Sequence, residues 1–273
     1  MQILRHCAAA ALLLCLCEPG SAGASPWSAT TGAAIRLVPG SSTPGERSAG
    51  LEIRLDPGWK TYWRNPGDSG VPPVFDWSGS DNVADVTVLW PAPQRFDDED
   101  GVTIGYKADT VLPLKVEPKD ATRPATLSLA LGYAVCKTIC VPAKGEARLT
   151  LDPAIPPDAS AQALLATAQA AVPQPRALGA AGAPAVLGIA VDGSAKPLRL
   201  TVTARASSSA TLFVDGPPDW YLAVPQAAGA DAEGRRFTLT LDGLPKSAET
   251  AGQVLRFTLV DEAGAIETPY TLP

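Results

Sequence analysis

The chain has 273 residues, 46% hydrophobic and 18% charged, with 24 glycines and 27 prolines, which is room for one large or two ordinary domains with frequent turns. Its formal net charge of −6 argues against nucleic acid and anionic membrane surfaces as partners. Five cysteines, one histidine and one methionine leave little material for metal chemistry, and their positions decide which of them matter.

Residues 1–24 read as an export signal: Arg5 and His6 open it, an apolar run follows from Cys7 to Cys17, and Ala22-Gly23-Ala24 offers a cleavage site before Ser25. Cleavage removes Cys7, Cys15 and Cys17 together with His6 and Met1. The mature chain then has no imidazole and no thioether. That argues against Ser-His or Cys-His nucleophile pairs and against the common zinc and copper sites. No later stretch reaches about 18 apolar residues, so no membrane span is expected after cleavage. Cys136 and Cys140 remain, in an exported and oxidising compartment where disulfides form.

From Ala33 to Leu151 the pattern is short strands between turns. Leu51, Ile53 and Leu55 alternate with Glu52 and Arg54, the period of a half-buried strand. Val83–Trp90 and Val111–Val116 read the same way. Asp56-Pro57-Gly58, Asn65-Pro66-Gly67, Pro91-Ala92-Pro93 and Glu117-Pro118 break the strands. Trp59, Tyr62, Trp63, Trp77 and Trp90 read as sandwich core more readily than as a sugar platform. In "RNPGDSG", Arg64, Asn65 and Asp68 read as a turn held by side-chain hydrogen bonds. The acidic run Asp97-Asp98-Glu99-Asp100 reads as a solvated loop, with calcium the alternative.

Strand alternation continues into the cysteine segment. Leu127, Leu129, Leu131, Tyr133 and Val135 share one face; Thr126, Ser128, Ala130, Gly132 and Ala134 share the other, which Cys136 continues. Beyond the turn, Cys140 shares parity with Lys144, Glu146, Arg148 and Thr150. Both sulfurs are therefore expected on the less apolar, accessible face. Four extended residues would hold the two Cα atoms roughly 13 Å apart, too far for a disulfide. Any bridge thus needs Lys137-Thr138-Ile139 to reverse the chain. A ring this small contributes only about 2 kcal/mol as a staple, and Lys137 favours a thiolate at Cys136. On the residues alone a redox pair, an inert bridge and a two-thiolate metal site all stay open.

Asp152–Pro184 is rich in Ala and Pro; Asp158 is placed to cap a helix running to about Val172, with Leu164, Leu165, Ala168 and Val172 on one face. Residues 153–184 thus read as a linker with one short helix. Strand pattern returns over 185–273, where Leu198, Leu200 and Val202, then Phe237, Leu239 and Leu241, then Leu255, Phe257 and Leu259 alternate. About seven short strands there suggest a second β-sandwich.

Four segments occur in order: "DPGWKTYWRNPGDSGVPPVFDW" (Asp56–Trp77), "VLWPAPQRF" (Val88–Phe96), "GYKADTVLPLKV" (Gly105–Val116) and "LGYAVCKTICVPAKGEARLTL" (Leu131–Leu151). Together they resemble the N-terminal periplasmic domain of the protein-disulfide reductases of the DsbD and, more closely, ScsB type. The resemblance covers about residues 30–152, and 185–273 is similar, with weaker motifs, to a further immunoglobulin-like module. It implies an all-β chain: a redox sandwich over 25–152 and a second immunoglobulin-like sandwich over 185–273, joined by the Ala/Pro-rich linker with its short helix.

The same resemblance implies thiol–disulfide exchange at Cys136 and Cys140, with no cofactor. Periplasmic thioredoxin-like or disulfide-isomerase-like proteins would be the partners and a separate membrane protein the electron donor. The ScsB type is named for suppression of copper sensitivity, which makes copper tolerance the implied setting. Its cap loop corresponds in position to Asp97–Gly101. That stretch lacks an aromatic tip here, so Phe96 or Tyr106, beside Asp97 and Asp98, would do the shielding, with Tyr133 and Lys137 as neighbours of the pair. The chain ends at Pro273 without a membrane region or a thioredoxin-like domain, so it is expected to be a free-standing form of the module. The rival function is a periplasmic binding module that merely contains a structural disulfide.

Overall fold

The structure is a computed structural model that describes residues 23–43, 45–98, 101–232 and 234–273. Of the expected leader, residues 1–22 lie outside that range, as do Glu99 and Asp100 of the acidic run. In chain order the N-terminal half contains β1 (Ser28–Thr30), β2 (Ala33–Thr43), β3 (Glu46–Leu55), β4 (Lys60–Gly67), β5 (Val74–Asp76), β6 (Val83–Val88), β7 (Gln94–Asp98), β8 (Gly101–Tyr106), β9 (Thr110–Pro118), β10 (Ala125–Cys136) and β11 (Cys140–Leu151). Helix α1 (Ala159–Ala170) follows. The C-terminal half contains β12 (Gln174–Pro175), β13 (Ala185–Asp192), β14 (Arg199–Arg205), β15 (Thr211–Asp215), β16 (Gln226–Ala230), β17 (Arg235–Thr240), β18 (Val254–Asp261) and β19 (Gly264–Thr271). The chain is predominantly β, as the strand pattern implies, and consistent with the immunoglobulin-like type that the resemblance implies.

Two sheets face each other in the N-terminal half. One runs β1-β2-β3-β9-β6; the other runs β11-β10-β4-β8-β7, with β5 added beside β10. The alternating residues of the sequence line the space between them. Ile35, Leu37, Leu51 and Leu114 come from the first sheet, and Leu127, Leu129, Leu131 and Val135 from the second. Trp63 is fully buried there, and Trp59, Trp77 and Trp90 pack against the same core. Four of the five aromatic residues singled out by sequence are therefore core or its edge, and Tyr62 is the exception.

Asp158 caps α1, its carboxylate accepting from the Ala161 N–H at 2.7 Å, which satisfies one of the open donors of the first turn. The helix is not a free tether. Leu165 and Ala168 are buried with Val111. Gly50 is the floor beneath them: a Cβ there would stand 2.5 Å from Leu165 Cδ2.

The C-terminal half has two four-stranded sheets, β12-β19-β18-β15 and β13-β14-β17-β16. Leu200, Val202, Phe237, Leu239, Leu255, Phe257 and Leu259, the alternating residues of the sequence, fill the layer between them. The two halves also touch. Phe213 and Val224 join the N-terminal core, with the Phe213 ring 5.9 Å from that of Trp63. The next residue on β4, Arg64, pairs with Asp215 and Glu267, and Arg256 reaches Asp215 at 2.8 Å. Asn65 Nδ2 donates to the Val214 carbonyl at 2.7 Å and to that of Leu222 at 3.2 Å. Asn65 also closes its own turn, accepting from the Gly67 N–H at 3.2 Å. The turn is thus side-chain bonded, as the sequence implies, and it reaches a second partner surface as well.

Burial pushes the Asp215 carboxyl above the usual carboxylate range, against the pull of Arg64 and Arg256. A buried ion pair stripped of one member leaves an uncompensated charge, which costs about 3–5 kcal/mol. Asp215→Ala, which leaves Arg64 its pairing with Glu267 and Arg256 half-exposed, is expected to lower unfolding stability by about 1.5 kcal/mol in urea denaturation. Adding Arg64→Ala to that variant should cost much less than Arg64→Ala alone, because the two residues share one interaction.

Candidate functional site

β10 and β11 form a hairpin whose register is unbroken from Ala125–Leu151 to Cys136–Cys140. The two cysteines are its last pair, with Cα atoms 4.1 Å apart and an S–S bond of 2.07 Å. Lys137, Thr138 and Ile139 make the reversal that the spacing requires, and the Lys137 N–H donates to the Ile139 carbonyl at 3.3 Å.

Alternation along β10 sends Val135 into the core and Cys136 to the opposite face, with Gly132 and Ala134. This is the face the sequence implies. Accessibility differs from expectation for one sulfur: Cys140 is exposed, but Cys136 retains only 7% of its surface. The reason is a residue that the sequence pattern does not bring near the pair. The small side chain at 134 leaves room on the sheet, and Tyr62 from the adjacent β4 packs there, forming with Ala134 and Cys136 a buried cluster separate from the main core. Its hydroxyl lies 3.0 Å from Cys140 Sγ. A disulfide sulfur carries no proton, so the phenol is the donor.

Lys60 completes this face. It stands directly across from Cys136 in the β4–β10 register. Only 8% exposed, it donates to Thr103 Oγ1 at 3.0 Å and lies 5.5 Å from the centroid of the Phe96 ring. In "GWKTYW", Lys60 and Tyr62 share strand parity, opposite to Thr61 and Trp63. That much is readable from sequence; the pairing of β4 with β10 is not.

The other expected neighbours are spread out. Phe96 shares the sulfur face through the register of β7 with β8 and β8 with β4, but it lies three strands from β10. Tyr106 faces the core and donates to the Pro91 carbonyl at 2.9 Å, and burial pushes its pKa upward. Tyr133 is also a core residue, its hydroxyl pushed up to about 12 by burial. Asp97 accepts from Arg95 at 2.8 Å, and the backbone of Asp98 pairs with Gly101 where β7 turns into β8. Among the described residues no cluster of His, Cys, Asp or Glu could hold a metal ion. Lys137 extends along the neighbouring turn, its Nζ 3.3 Å from the Pro57 carbonyl and its Cε close to Gly58, whose φ of +83° suits a residue without Cβ.

Chemically, then, this is a disulfide at a surface, with the exposed Cys140 receiving the Tyr62 phenol and the buried Cys136 standing opposite Lys60. Comparisons with known proteins point to thiol:disulfide interchange as the class of chemistry. Residues 33–152 match the family model described as thiol:disulfide interchange protein DsbD, N-terminal. Among solved structures, the N-terminal periplasmic domain of ScsB from Proteus mirabilis is similar at 25% identity and a TM-score of 0.72, covering 92% of this chain and 99% of that one. A marsupial T cell receptor aligns at 9% identity with a TM-score of 0.21, too low to argue from. No curated protein matches the chain.

A hydrogen bond donated to a charged acceptor is worth about 1.5–3 kcal/mol, and it lowers the pKa of the thiolate that receives it. Tyr62→Phe is therefore expected to raise the pKa of Cys140 in the reduced protein by about one unit. Titration of thiolate absorbance in the Cys136→Ser background checks this.

Proposed function

We propose that this chain, whose residues 33–152 are a DsbD/ScsB N-terminal domain, is a periplasmic thiol:disulfide interchange protein passing electrons through Cys136 and Cys140 to oxidised partner proteins. The single observation that carries this is the asymmetry of the pair: Cys140 lies open at the surface while Cys136, at 7% exposure, is sheltered behind it.

In the loading step a donor thiolate attacks Cys140 Sγ. The Cys136–Cys140 bond breaks, Cys136 leaves as a thiolate, and a mixed disulfide joins donor and Cys140. The donor's second thiolate then attacks its own sulfur in that mixed disulfide and releases Cys140. Two electrons have moved: the donor ends as a disulfide, this chain as a dithiol. In the delivery step the Cys140 thiolate attacks the partner's disulfide, and Cys136 resolves the mixed disulfide, re-forming the original bond and leaving the partner reduced. Tyr62 is placed to donate to the Cys140 thiolate. No imidazole is used.

The chain is read as exported through a cleavable signal over residues 1–24. Two sandwich domains, 25–152 and 185–273, are joined by the segment 153–184 with its helix. Among the described residues no helix is long and apolar enough to cross a membrane. Electrons are accordingly assigned to a separate membrane donor and delivery to thioredoxin-like or disulfide-isomerase-like proteins, with copper tolerance the setting that the ScsB likeness brings forward. Phe96 and the acidic segment from Asp97 are read as the outer part of the cover, Tyr62 as its inner part. The rival reading, a binding module with an inert bridge, accounts less well for an exposed sulfur.

Cys136→Ser and Cys140→Ser should each abolish turnover of a disulfide substrate while leaving the far-UV circular dichroism unchanged. Cys136→Ser should still form a stable mixed disulfide through Cys140, and Cys140→Ser should form far less through the sheltered Cys136. Equal trapping by the two variants, or full turnover by either, contradicts the assignment.

A further inference from the structure

Among the described residues, the four most exposed large apolar side chains are Tyr221 (78%), Ile139 (71%), Val74 (66%) and Val71 (49%). They are far apart in sequence, and the fold places them between the sulfur hairpin and the cleft beside the C-terminal half. Ile139 is at the tip of the sulfur hairpin, next to Cys140. Val74 stands opposite Gly132 in the β5–β10 register, on the face that carries Cys136 and with no Cβ across from it. Val71 follows Gly70, whose Cα is so close to Tyr62 that a Cβ there would be 2.8 Å from the ring. Pro72 then lines a cleft of about 320 Å³ between the two halves of the chain, shared with Trp220 and Tyr221.

Water does not favour large apolar side chains at this exposure, and their placement beside the cysteine face and the cleft reads as an interaction surface. Its side chains sit on pinned backbone. Val74 is in a ladder, and Tyr221 is fixed to Gly243 by a bridge with an N–H···O distance of 3.1 Å. Rigid, exposed aromatics are frequent anchors at interfaces, because little side-chain freedom is lost on binding. The scale also fits. β4 runs from Lys60, beside the cysteines, to Gly67 at the cleft, about 23 Å of strand, and a standard interface of about 800 Å² per partner is roughly 30 Å across.

We propose that the thiol partner docks along this strip, and that the C-terminal half supplies its far anchor, Tyr221. The occupant is a dithiol protein of the thioredoxin-like class, because the strip begins at Cys140, the exposed cysteine of the disulfide, where an incoming thiolate has chemistry to do. This rests on the exchange function proposed above. It adds a role for the C-terminal half: that half selects protein dithiols over small ones.

The test compares two reductants on the full chain, dithiothreitol and reduced thioredoxin, by the rate at which the Cys136–Cys140 bond opens. The parent should react faster with thioredoxin than with dithiothreitol at equal concentration. Tyr221→Ala and Val74→Asp, both at exposed positions, should each slow the thioredoxin reaction about fivefold or more, as loss of an interface anchor does, and leave the dithiothreitol rate unchanged. Unchanged thioredoxin rates in both variants, or a parent that reacts no faster with thioredoxin than with dithiothreitol, overturn the docking strip. A parent inert to both reductants overturns the exchange function itself, and the strip with it.

Discussion

The register of β10 against β11 runs without a bulge to the cysteine pair, and strand alternation does the rest. A slip of one residue would turn the small face inward and bring Val135 and Tyr133 out to water. The core side chains of β10, from Leu127 to Val135, hold that register because each is buried between the two sheets. The same packing therefore fixes which way the sulfurs point. Tyr62 covers Cys136 by packing over the small side chain of Ala134. The hydrophobic core and the redox site are in this sense one arrangement seen from its two faces.

β4 links that arrangement to the rest of the chain. Its first residues, Lys60 and Tyr62, belong to the sulfur face. Trp63 belongs to the core, and Arg64 and Asn65 belong to the contact with the C-terminal half. A displacement of the C-terminal half would be felt at Arg64, two residues from the phenol that touches Cys140. The Asp215 carboxylate is buried, where loss of a partner is costly, so the contact is built to hold one geometry rather than to slide.

Much of this was legible in the sequence. The alternating leucines of 127–131 and 198–202 identified their strands and their buried faces, because the period of two survives in any half-buried strand. Asp158 as a helix cap was equally local, since the cap and the N–H it serves are three residues apart. The cysteine face followed from parity alone. What stayed hidden was pairing between distant strands. Nothing in "GWKTYW" says that β4 lies beside β10, so Tyr62 passed for one more core aromatic, and Tyr106 and Phe96 for the shield. Docking of α1 on the first sheet was hidden for the same reason: Gly50 and Val111, which receive Leu165, lie on strands 115 and 54 residues upstream of it.

Equilibration of the folded protein with glutathione buffers of graded composition decides whether the Cys136–Cys140 bond is a working couple. A structural disulfide lies below about −300 mV. The account predicts a midpoint above that value, with both thiols labelled while the fold is intact. A bond that stays closed across the whole range, and yields thiols only once the protein is unfolded, would contradict it.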